Sequence, residues 1–107
     1  MNSFEERQKG FEAQFMRDQE LSFRVVARRN RLLGLWAARR LGLAAGAAAE
    51  AYAQTVVAAD FQAPGDDDVI EKLRDDFAAN GADVTETEVR AELARAVLEA
   101  HKQLAGR

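Results

Sequence analysis

One apolar stripe, longer than the rest of the chain can cover, constrains this sequence more than any other feature. With Phe4 set at zero and 100° advanced per residue, Phe11 and Phe15 fall within about 20° of it and Ser22 returns to it. Val25, Val26, Leu32, Leu33 and Trp36 follow between about −80° and +40° on the same wheel. The stripe covers roughly 33 residues, nearly 50 Å if the helix is unbroken. Ser3-Phe4-Glu5-Glu6 has the capping-box pattern, so this helix is expected to start as early as Ser3 and to run, broken or not, to Arg40.

Three further helices are expected. Gly42 and Gly46 mark the turn into a second, over about Ala44 to Asp60, with Tyr52, Val56, Val57 and Phe61 as its apolar members. Ala63-Pro64-Gly65 breaks the chain, and Asp66, Asp67 and Asp68 open a third helix at its dipole-positive end. Val69, Ile70, Leu73 and Phe77 form its inner face, and Asn80-Gly81 ends it in a left-handed cap. Thr85-Glu86-Thr87-Glu88 is a second capping box. It starts a fourth helix whose 3.6-residue face is Val89, Leu93, Val97, Ala100 and Leu104. Short connections favour antiparallel neighbours, so the fold class is all-α: a four-helix bundle.

At 107 residues the chain has room for one core. It has no cysteine and a single histidine, His101. Disulfides, thiolate nucleophiles and histidine-based zinc sites are therefore excluded. Asp66 to Asp68 match no EF-hand spacing, and helix-start capping accounts for them. His101, near the end of the last helix, reads as dipole-compatible surface. No glycine-rich phosphate loop, carboxylate pair or triad can be assembled, which leaves enzyme activity without a basis. The start, MNSFEERQKG, is too polar for a signal peptide, and Arg39-Arg40 lies mid-chain, not where a twin-arginine export signal would be. The apolar run from Leu41 to Ala49 is far shorter than the roughly 20 residues of a membrane span. These features predict a soluble, intracellular protein with no direct membrane insertion.

Charge is unevenly spread. Residues 1–40 hold nine Lys/Arg against five Asp/Glu, and the remaining residues six against thirteen, within a net charge of −3. Arg24, Arg28, Arg29, Arg31, Arg39 and Arg40 form a stretch without an acid. Either it is a solvated helix face or it binds phosphate or nucleic acid. The acidic remainder and the lack of a recognition-helix pair argue against nucleic acid. Arg24, Arg28 and Arg31 point away from the apolar stripe. Arg29 lies on it, and three readings stand: a bend, an internal pair with an acid such as Asp60, or a contact. Asn30 is either a buried polar group bonded to its neighbours or a ligand contact.

The surplus of the stripe lies at its start. From Leu21 onward the chain has apolar residues enough for a bundle core. Before it, Phe4, Phe11 and Phe15 stand among charged and amide residues, and Gly10 costs about 1 kcal/mol of helix propensity against alanine. Residues 1–20 therefore read as a mobile, marginally helical segment that orders on a partner, with residues 21–107 as the bundle. Aromatic anchors at helical spacing are how such segments bind grooves, though the same spacing also suits the first turns of a bundle helix.

Three long stretches carry a family resemblance: SFEERQKGFEAQFMRDQELSF, ARRNRLLGLWAARRLGL and EAYAQTVVAADFQAPGDDDVIEKLRDDF. Across essentially its whole length the chain resembles the zeta subunit of alphaproteobacterial ATP synthases. Its most specific pieces run from Ala27 to Ala38 and from Asp60 to Val69. The resemblance implies an intrinsic inhibitor, a four-helix bundle with a mobile N-terminal segment. That segment is inserted at a catalytic interface of the synthase head, among the alpha, beta and gamma subunits, and blocks rotation in the hydrolytic direction. It places Phe4, Glu5, Arg7, Phe11, Phe15 and Arg17 in the inhibitory stretch. There the phenylalanines would fill apolar pockets, while Arg7, Lys9 and Arg17 meet acidic groups. It also implies a cytoplasmic protein held at the inner face of the plasma membrane through the synthase. No cofactor is required. Some members bind adenine nucleotide on the bundle, so ATP or ADP is a possible regulatory ligand, and the arginine-rich helix at Arg28, Arg29 and Asn30 is the place expected for it.

Overall fold

Helix formers without an interior proline give α1, Ser3–Arg40, a single helix of 38 residues that passes through Gly10 unbroken. This is a computed structural model, and it describes residues 3–60 and 66–105; the side chains of residues 3–6 and 11 lie outside that description. Phe61 and the Ala63-Pro64-Gly65 break therefore fall outside the described residues as well. Within them the chain forms four helices and no strand: α1, then α2 (Ala47–Ala59), α3 (Asp67–Ala79) and α4 (Glu86–Ala105). Each helix packs on its neighbours in a closed order: α1 on α2, α2 on α3, α3 on α4, and α4 back on α1.

The helix ends follow local chemistry. Arg39 and Arg40 occupy the last turn of α1, against the negative end of its dipole. Leu43 N donates to Ala38 O at 2.9 Å and Gly42 N to Arg39 O at 3.0 Å, the paired bonds of a Schellman stop. Gly42 takes a φ of 80° and Gly46 a φ of 101°. Both values are outside the helical region, so α2 begins at Ala47 and not at the expected Ala44. α3 stops the same way at Gly81, with Ala82 N donating to Phe77 O at 2.9 Å. At the start of α4, Thr85 Oγ1 accepts from Glu88 N at 3.1 Å, the first half of the expected capping box. Asp66 departs from expectation. It stands at the N-cap of α3 but makes no side-chain cap bond. Its carboxylate turns instead to an arginine of α1.

The core gathers Leu33 and Ala37 of α1, Val56 of α2, Val69, Ile70, Leu73 and Phe77 of α3, and Val89 and Leu93 of α4. The Phe77 ring meets Trp36 edge to face, centroids 5.9 Å apart, and Arg40 lies over the outer side of Trp36. α1 and α2 come closest at Gly34, where an added Cβ would lie 2.7 Å from Ala53 Cα. That neighbour is backbone and cannot swing aside. Gly34→Val will force the two helices apart and cost about 2–3 kcal/mol, read as a lower urea midpoint, although valine has the better helix propensity.

A polar cluster joins α2 to α3. Tyr52 Oη donates to Asp76 Oδ2 at 2.6 Å and Lys72 Nζ to the same oxygen at 2.9 Å. Partial burial pushes the Asp76 carboxyl up, but the bonds from Tyr52 and Lys72 and the charge of Lys72 outweigh it and hold it below the ordinary carboxylate range. Burial, then the bond to Asp76 and its charge, hold the Tyr52 hydroxyl above its ordinary range. A carboxyl depressed on folding stabilises above its unfolded pKa, and that stability is lost as pH falls through the folded value. Tyr52→Phe will therefore cost about 1 kcal/mol at pH 7 and less once pH falls below the ordinary carboxylate range, so the two melting curves converge in acid.

Candidate functional site

The bundle is much shorter than its first helix. α4, the longest of the other three, has 20 residues against 38, and the molecule measures 64 × 27 × 21 Å. Burial on α1 starts at Val25. Every described side chain from Arg7 to Arg24 is exposed. The first half of α1 thus projects from the bundle.

Its exposed apolar residues continue the face that packs inside. Advancing 100° per residue places Phe15, Met16 and Phe23 on the side of Val26, Leu33 and Ala37, and Leu21 on the side of Val25 and Leu32. Phe15 is 52% exposed, Met16 65%, Leu21 50% and Phe23 58%. Arg17 and Lys9 are exposed on the same stretch, as is Arg7. The side chains of Phe4, Glu5 and Phe11 lie outside the described residues. Sequence reasoning missed Leu21 and Phe23 as members of the exposed face, because it took Leu21 onward to be core, and left out Met16, which falls about 120° from Phe4 and outside the stripe. The comparison of helix lengths held the missing signal: helices of 13 and 20 residues cannot reach that far along one of 38.

The arginine-rich turn of α1 is used mainly within the fold. Arg29 is 7% exposed; its Nη1 lies 2.9 Å from Asp66 Oδ1 and its Nη2 3.8 Å from Asp60 Oδ2. Arg29 Nε donates to Asn30 Oδ1 at 3.0 Å. Of the three readings of Arg29, the geometry takes the internal pair, to Asp60 and also to Asp66. This clasp ties both ends of the α2–α3 connection to α1, and it explains why Asp66 leaves its own cap. Asn30 is 1% exposed, and among the described residues its Nδ2 meets no hydrogen-bond partner. Arg31 pairs with Glu50 of α2, and Arg28, half-buried, donates to Gln103 Oε1 of α4 at 2.9 Å. Of the four arginines Arg24, Arg28, Arg29 and Arg31, Arg24 alone is exposed, and it pairs with Glu20 one turn back.

A bundle that holds one amphipathic helix out into solvent, with large apolar side chains exposed along it, has a surface of the kind that helix-binding grooves cover. Comparison with known families makes it particular: the family model for ATPase inhibitor subunit zeta matches residues 1–103, and the chain belongs to that family. A protein whose structure was solved in solution by NMR is 41% identical. The alignment covers 80% of this chain and 96% of that one, with a TM-score of 0.72. No curated protein matches. No helix among the described residues is long and apolar enough to cross a membrane.

Proposed function

We propose that this protein is a non-catalytic inhibitor of ATP hydrolysis by ATP synthase, and that the projecting half of α1 is the inhibitory element. The bundle anchors the protein on the catalytic head. Residues 1–20 enter a catalytic interface, between the alpha and beta subunits and against the gamma stalk, and stop rotation in the hydrolytic direction. One observation carries this reading beyond the family: the uncovered apolar face of α1, with Phe15 at 52% and Met16 at 65% exposure on a helix that outruns its bundle. Such a face is costly to leave in water unless a partner covers it. The protein is thereby held at the inner face of the plasma membrane through the synthase, without entering the bilayer.

Titration of a cognate soluble head with the full chain tests the proposal. ATP hydrolysis is expected to fall to a low plateau at saturation, while synthesis by the membrane-bound enzyme continues. Undiminished hydrolysis at saturating protein would end the reading. Phe15→Ala removes one anchor. If the ring is fully buried in the complex, the loss is about 1.5–3 kcal/mol and appears as faster dissociation, with association nearly unchanged.

A further inference from the structure

Where α1 leaves the bundle, a groove of about 440 Å³ runs between α1, α2 and the end of α4. Phe23, Val57 and Leu104 supply its apolar surface, and Arg24, Arg28 and Arg31 stand along it. The three guanidiniums are not equivalent. Arg24 and Arg31 each have a carboxylate, Glu20 and Glu50. Among the described residues Arg28, half-buried, has only the amide oxygen of Gln103 at 2.9 Å. Gln103 Nε2 donates in turn to Glu99 at 3.2 Å, which holds that oxygen toward Arg28. An amide offers a dipole to a full charge that has been drawn part-way out of water. A carboxylate beside Arg28 would offset that loss better.

We propose that this groove is a second docking contact, which receives an acidic amphipathic segment of the synthase head while residues 1–20 are inserted. The proposal rests on the inhibitory reading above. It is argued from continuity and from charge. α1 is one helix from Ser3 to Arg40, so a partner surface that encloses it up to Glu20 meets Phe23 and Arg24 within the next turn. The apolar strip fits the aliphatic side of such a segment, and Arg28 fits a carboxylate at its edge. A polyphosphate would need several uncompensated cations, and along this groove only Arg28 lacks a carboxylate. Two linked contacts hold an inhibitor more tightly than either alone, which gives the bundle a part in binding.

The test follows dissociation of the full-length chain from the soluble head at several salt concentrations, for the wild type, Arg28→Gln and Phe23→Ala. Phe23 and Arg28 both lie outside the hydrophobic core, so each variant is expected to fold, and its melting is recorded beside its dissociation. Each should leave the head roughly tenfold faster, and Arg28→Gln should also flatten the salt dependence. Wild-type dissociation by both variants would overturn the second contact and leave the inhibitory reading standing. A wild-type chain that does not bind the head would remove both. Chemical-shift changes at Arg28 on adding ATP, with head binding indifferent to Arg28→Gln, would assign the groove to a polyphosphate and overturn the proposal.

Discussion

Deletion of residues 1–19 will abolish inhibition of ATP hydrolysis and leave the bundle folded. The two halves of this expectation have separate grounds. Burial on α1 begins at Val25, so no buried side chain among those described is removed, and Glu20 remains to pair with Arg24. The hydrophobic core and the Arg29 clasp are untouched, so thermal melting should change little. Inhibition should vanish because the deleted stretch holds Phe15 and Met16, which no described residue covers. The measurement is hydrolysis by the soluble head, titrated with the full chain and with one that begins at Glu20. Equal inhibition by the two would move the function into the bundle, and the groove at Arg28 would then become the first place to examine.

The second large effect is on the fold itself. Phe77→Ala will destabilise the protein by about 3–5 kcal/mol. Phe77 is 1% exposed, sits among residues of all four helices and meets Trp36 edge to face. Its loss leaves a cavity where α3 closes over α1, and a bundle of short helices has little freedom to collapse into it. Small domains are stable by only about 5–15 kcal/mol, so this one ring accounts for a large share. The melting temperature should fall by roughly 15–30 °C. Phe77→Leu, which refills most of the volume, should recover much of the loss. A melting point within a few degrees of wild type for Phe77→Ala would show that the bundle is held elsewhere.

Much of the fold is legible in residue order because it depends on local chemistry. The stops at Gly42 and Gly81 need a left-handed residue, and the start at Thr85 needs a hydroxyl one turn before Glu88. Each requirement is met within a few residues, so a sequence pattern can express it. The inner face of α3, from Val69 to Phe77, is legible for the same reason, since period alone places it. The start of α2 was misjudged by three residues because two glycines, Gly42 and Gly46, take positive φ, and the composition of Leu41 to Ala49 does not show where the helix resumes.

The candidate site divides along the same line. That one long amphipathic helix carries apolar residues beyond the needs of a bundle was determined by the sequence, because helix length and face follow from propensity and period. Where that helix leaves the bundle was decided only by the tertiary structure. Leu21 and Phe23 look like core residues, and their exposure depends on how far α2 and α4 reach along α1. The pairing of Arg29 was likewise open among three readings until α2 and α3 brought Asp60 and Asp66 to one guanidinium. Gly34 gives no sign in sequence that Ala53 lies against it. Contacts between segments far apart in the chain depend on which faces meet and at what separation, and those are set by packing after the helices exist.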